Sequence, residues 1–225
     1  PSNVASEVRC RQYFPDPTFH FSMARYTGPK TRKSRRYGVP LFGNSKSLER
    51  KNYGPGQHGP RGSRRKQSEY SVALAEKQKL RFQYGLMEKQ FRRYFETALH
   101  RRGVTGETLL QLLETRLDNV VFRLGFGKTR DGARQMVNHG HVTVNGRKVD
   151  IASFNVKVGD KVAIRNTEKS RRLAQVNLEL TQIVPVPDWV IVDKEKFEGE
   201  LSRIPSRDDI QPIVNEQLIV ELYSR

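Results

Sequence analysis

At 225 residues the chain is long enough for two modest hydrophobic cores, and its net charge of +17 with a pI near 10.2 calls for a polyanionic partner. A single cysteine, Cys10, excludes an internal disulfide framework and a thiolate zinc site. No apolar run reaches the length of a membrane span and no secretion pattern is present, so a reducing, cytoplasmic setting is expected.

Residues 1–22 carry as many acidic as basic side chains around a Pro-Asp-Pro turn and read as a disordered extension. Residues 23–67 are basic, rich in Gly and Pro, and without sustained period. Such a segment cannot bury enough apolar surface to fold alone, and it reads as an extended arm that orders on RNA. Its candidate phosphate contacts are Arg25, Lys30, Arg32, Lys33, Arg35 and Arg36, then Arg61, Arg64, Arg65 and Lys66. Tyr26 and His58 are candidates to stack on bases.

Ser68 is placed to cap a helix running to about residue 84, which Gly85 breaks. A second helix, 87–101, carries an apolar stripe of Phe91, Tyr94, Phe95, Ala98 and Leu99. Lys89, Arg92 and Arg93 share its opposite side and are assigned to RNA. A further stripe, Leu109, Leu113, Leu117, Val120 and Leu124, ends at a Gly-Phe-Gly break.

Thr129 then stands at an N-cap, with Asp131 in the first turn and Gly140 as the stop. On this helix Ala133, Met136 and Val137 face inward. Arg130, Arg134 and Asn138 recur at i, i+4 and i+8 and are expected on one outward face. Lys128 beside the helix N-terminus suits a phosphate. Asn145-Gly146 is a type I′ hairpin signal, pairing Thr143 with Lys148 and exposing Arg147. Residues 161–165 alternate like a half-buried strand. A helix at 173–181, a strand at 189–192 and a short last helix follow. Leu218, Ile219 and Val220 are expected to pack back on the first helices.

The motifs RLDNVVFRLGF from Arg116, TRDGAR from Thr129 and VTVNGR from Val142 resemble the RNA-binding domain of the small-subunit ribosomal protein S four family. MARYTGPK from Met23, GPGQHG from Gly54 and EQLIVELYS from Glu216 extend the resemblance to residues 23–225. It is to the bacterial or organellar type, in the form without zinc-binding cysteines. The fold class implied is α+β: a mainly helical domain with an inserted two-helix and β-hairpin RNA-binding domain, preceded by a basic arm. The division is 1–22, 23–67, 68–113, 114–177 and 178–225, the last packing back on the helical domain.

The resemblance implies a structural, non-enzymatic constituent of the small subunit. It would bind 16S-type rRNA early in assembly, contact neighbouring proteins including protein S five, influence decoding accuracy and repress its own mRNA. Arg116, Arg123, Lys128, Thr129, Arg130, Arg134, Asn138, His141, Arg147 and Lys148 join the candidate RNA contacts.

Two alternatives remain open. One is an RNA-modifying enzyme targeted by the central unit, for which no catalytic domain or motif is found. The other is a regulator of its own mRNA or of transcription. His139 and His141 flank Gly140 at a metal-compatible spacing, but no nearby thiol or carboxylate completes a site, so no cofactor or metal is expected. Residues 173–225 hold five basic and ten acidic side chains, which suits a protein-facing surface.

Overall fold

The computed structural model describes residues 25–43, 46–60, 67–210 and 212–224. In chain order the first elements are α1 (Lys30–Tyr37), α2 (Lys46–Arg50), α3 (Glu69–Gln83), α4 (Glu88–Leu99) and α5 (Thr105–Glu114). Next come α6 (Leu117–Arg123), α7 (Arg130–Asn138), β1 (Val142–Val144), β2 (Arg147–Lys148) and β3 (Lys161–Ile164). The chain closes with α8 (Glu168–Thr181), β4 (Val190–Asp193), β5 (Glu198–Leu201), α9 (Arg207–Ile210) and α10 (Glu216–Ser224). The fold is α+β, as expected.

The segment without sequence period nevertheless holds two helices, α1 and α2. α1 is almost wholly polar and buries only Ser34, so its own composition does not hold it in place. Its flanks do. Tyr26 meets Phe82 edge-on at 5.0 Å, Tyr37 and Phe42 approach the same ring at 6.4 Å, and Leu41 is 2% exposed. Scattered anchors of this kind leave no periodic trace, because the charged residues between them carry the helix. The expectations for residues 1–22 and for Arg61, Arg64, Arg65 and Lys66 lie outside the described residues.

One core is helical. Ser68 caps α3, its hydroxyl accepting from the Ser71 N–H at 3.3 Å. Leu80, Phe91, Phe95, Ala98, Leu109 and Leu113 are buried with Ile210, Val214 and Ile219 from the C-terminal end. Tyr223 stacks on Phe95 at 4.6 Å, and its hydroxyl donates to Glu88 at 2.8 Å. The expected return of the C-terminus to the first helices is therefore seen. Leu99 departs from the expected stripe: α4 ends at this residue, and it is 56% exposed.

The other core lies under a five-stranded antiparallel sheet of order β2-β1-β3-β5-β4, packed by α6, α7 and α8. The hairpin has the expected register, Thr143 opposite Lys148, with Asn145 and Gly146 both at positive φ. α7 ends in a Schellman motif: the His141 N–H donates to the Met136 carbonyl and the Gly140 N–H to that of Val137, with Gly140 at φ 71. α8 begins at Glu168, before the apolar residues that suggested a helix from 173.

β5 has no counterpart in the sequence reading. It inserts between β3 and β4, and its Gly199 lies so close to Leu124 that a Cβ would sit 2.1 Å from that side chain. Residues 178–225 thus divide between two cores instead of packing back as one piece. Trp189, Val190 and Leu201 belong to the sheet core, and Ile210, Val214 and Ile219 to the helical one.

Candidate nucleic-acid interface

The arginines of the central unit are not all where their spacing suggests. α6 packs against the i, i+4 face of α7 and presents Asp118 and Asn119 to it. Arg134 is 3% exposed and lies 3.6 Å from Asp118. Arg116 is 1% exposed and grips Asp118 bidentately at 3.1 and 2.7 Å, while also donating to Tyr94 at 2.5 Å. Neither is on an outward face, which corrects the expectation for Arg134 and for Arg116. Only Asn138 of the expected trio is exposed.

Glu114 is the centre of a second buried network. It is fully buried and receives Arg123 in two hydrogen bonds, at 3.0 and 2.7 Å. The Tyr84 hydroxyl donates to it at 2.6 Å and the Asn119 amide at 2.5 Å. Arg130 donates to Asn119 at 2.8 Å, reaches Glu114 at 3.9 Å, and lies over the rings of Phe122 and Tyr84. Burial by itself pushes the Glu114 carboxyl up, but Arg123 and Arg130 outweigh it and hold the group below its ordinary range. The same burial, with Glu114 beside it, pushes the Tyr84 phenol well up. Arg123 and Arg130 therefore join the two cores: Arg130 is not on the outward face expected of it, and Arg123, a candidate RNA contact, is turned to Glu114.

Exposed cations lie elsewhere. On α1, Arg32 and Arg36 face solvent, while Lys33 sits over Phe82 and Tyr26, and Arg35 donates to the Gly54 carbonyl at 3.2 Å and lies over Tyr53. Lys30 pairs with Asp131 in the first turn of α7, which ties the arm to the central unit. Tyr26, expected to stack on a base, uses its ring against Phe82.

Lys89, Arg92 and Arg93 are exposed on α4, as their spacing predicts, with Arg92 paired to Glu96. Arg25, His58, Lys128, Arg147 and Lys148 are exposed as well. The Thr129 hydroxyl accepts from the Gly132 N–H at 3.1 Å, so it caps α7 while Lys128 stands free beside it. His141 is half-buried against the Ser170 hydroxyl at 2.8 Å. Burial, with His139 and Arg165 nearby, pushes its imidazole below the usual range.

Several exposed cations escaped the sequence reading: Arg101 and Arg102 after α4, and Arg165, Lys169, Arg171 and Arg172 around the start of α8. For Arg101-Arg102 and Arg171-Arg172 adjacency in pairs was the available signal. Among the described residues no group of three or more His, Cys, Asp or Glu side chains is placed to hold a metal, and no helix is long and apolar enough to cross a membrane. Unpaired cations on rigid helices and a hairpin can neutralise phosphates and fix the register of an RNA backbone.

Comparison with known proteins fits this geometry. The family model of the ribosomal protein S4/S9 N-terminal domain matches residues 25–114, and that of the S4 domain matches residues 115–162. That ordered pair defines the class: an S4 RNA-binding module joined to the S4/S9 helical domain. Small ribosomal subunit protein uS4 of Akkermansia muciniphila and that of Opitutus terrae are each 59% identical over 203 residues, covering 90% of this chain and 100% of theirs. The same protein of Christiangramia forsetii is 51% identical over an equal span. The chain belongs to the uS4 family of small ribosomal subunit proteins.

Proposed function

We propose that this protein is a structural constituent of the small ribosomal subunit that binds rRNA directly and does no catalysis. The observation that carries the reading is the sorting of its cations. Those of α6 and α7 are spent on internal pairs, while Arg32 and Arg36 of α1, Lys89 and Arg93 of α4 and Arg147 of the hairpin stand exposed on the two domains that define the family. Their contacts are to phosphate, and shape supplies the specificity.

The family resemblance carries the reading further. It assigns early assembly at a multi-helix junction in the 5′ part of the 16S-type rRNA, an influence on decoding accuracy, and repression of its own mRNA by the same surface. The acidic C-terminal part, which includes the exposed Asp188, Glu195, Glu198 and Asp208, supplies the face for neighbouring ribosomal proteins, protein S five among them. The setting is the cytoplasm.

Crosslinking in cells followed by sequencing tests the proposal. Reads concentrated in the 5′ part of small-subunit rRNA are expected, with a minor peak on the protein's own message. Reads on messages with none on rRNA would replace the structural role with a regulatory one. Reads on rRNA alone would remove the repressor role.

A further inference from the structure

The matched S4 domain ends at residue 162, but the basic surface does not. At one end of the sheet the start of β1, the end of β2 and the end of β3 come together with the end of α7 and the start of α8. The Arg165 N–H donates to the His141 carbonyl at 2.8 Å, and the His141 ring holds Ser170 at 2.8 Å, so the first turn of α8 is fastened to that end. Lys148 lies across Gly140, where a Cβ would meet its Cε at 2.2 Å. The side chain is thus laid toward the same end of the sheet, over the α7 cap.

The charges gathered there are unlike those of the interior. Lys148, Arg165, Lys169 and Arg172 are all exposed, and among the described residues none of them forms an ion pair, although Asp150 and Glu168 lie close in sequence. By contrast Arg116, Arg123, Arg130 and Arg134 each have a carboxylate within 4 Å. Lys169 and Arg172 stand at i, i+3 on one side of α8, and the Ser170 between them is fixed at 1% exposure. Long cations on a rigid base, with no internal partner, match a run of phosphates better than a compact anion.

We propose that this sheet end is a second RNA-backbone contact surface, formed by Lys148, Arg165, Lys169 and Arg172 and reaching beyond the S4 domain onto α8. It rests on the reading of the protein as an rRNA binder and adds a surface to it. The four residues act together by neutralising phosphates, so they contribute to affinity and to its salt dependence but not to base choice.

The test uses the full chain and a small-subunit rRNA fragment covering the 5′ domain, titrated at several salt concentrations. Arg165→Glu/Lys169→Glu/Arg172→Glu is compared with the unaltered protein and with Lys89→Glu/Arg93→Glu on α4. Arg165→Gln/Lys169→Gln/Arg172→Gln serves as a milder form. The expected result for the first variant is an unchanged thermal transition, an affinity about 10–100-fold lower at physiological salt, and a log–log salt slope shallower by about two. The Gln form should show the same slope change with a smaller loss.

A folded variant with unchanged affinity and slope would overturn the second surface and leave that end to an acidic protein partner. An α4 variant that loses binding in the same experiment would show the rRNA-binding reading to be intact. An unaltered protein without salt-dependent affinity would overturn the rRNA-binding reading itself.

Discussion

α7 and α1 are both short helices with arginines spaced to share a side, and the two use them in opposite ways. On α7, Arg130 and Arg134 turn into carboxylate and amide groups that α6 supplies. On α1, Arg32 and Arg36 meet no acidic side chain among the described residues and stay in solvent. A guanidinium is bound to a neighbour or free for RNA according to what the adjoining helix offers, and its own helical periodicity does not carry that information. In this protein basic charge is therefore partly architecture and partly exposed surface.

The sharpest way to break this comparison is Arg134→Glu. It would place a second carboxylate beside Asp118 in a buried site and remove one of the two cations, Arg116 being the other, that offset Asp118. A loss of about 3–5 kcal/mol is expected in urea unfolding, enough to unfold much of the population. A variant as stable as the parent would put Arg134 back on the surface.

Glu114→Gln comes next, with an expected loss of about 3 kcal/mol, since Arg123 and Arg130 lose their charged partner. It also has a pH signature. Burial works against the Glu114 carboxylate, but the paired arginines hold its folded-state pKa below the ordinary 4.5. The stability it contributes is then fully present above about 4.5 and is lost as the pH falls through the folded value. Denaturation followed from pH 7 to pH 3 should decline less steeply in the variant. Parallel curves would remove Glu114 from the acid response.

Arg32→Glu/Arg36→Glu sharpens the other side. The unfolding midpoint should stay within about 0.5 kcal/mol of the parent, as for surface changes, while affinity for the rRNA fragment falls about tenfold or more. A drop in stability with no loss of affinity would make α1 architecture too. The smallest effect is expected for Lys89→Gln/Arg93→Gln: a few-fold loss, with the salt slope reduced by about one to two.

The legible parts of the fold were those whose determinants are local. The Ser68 and Thr129 caps, the Asn145-Gly146 turn and the Phe91–Phe95–Ala98 stripe each depend on residues a few positions apart. β5 was not legible. Its Glu-Gly-Glu-Leu has little strand propensity, and it is a strand because β3 and β4 flank it and Gly199 lets Leu124 in. α1 was missed because its anchors Tyr26, Tyr37 and Phe42 meet Phe82 from a distance in sequence. For the site, the exposed cations of α1, α4 and the hairpin were readable from composition. The inward turn of Arg130 and Arg134 was not, because Asp118 and Asn119 meet them only once α6 has packed on α7.

The insertion of the sheet unit between α5 and α9 has a consequence for chains cut short at the C-terminal end. The sheet core needs nothing beyond Leu201, since β5 supplies its last strand neighbour. The helical core needs Ile210, Val214, Ile219 and Tyr223, so α3, α4 and α5 depend on the last residues of the sequence. A purified chain ending after β5 keeps every strand of the sheet and leaves Phe91 and Phe95 without Tyr223. Such a chain ending near residue 205 should show residues 115–201 resistant to protease and residues 69–113 cut. Equal resistance of both segments would mean that the helices close without their C-terminal partner.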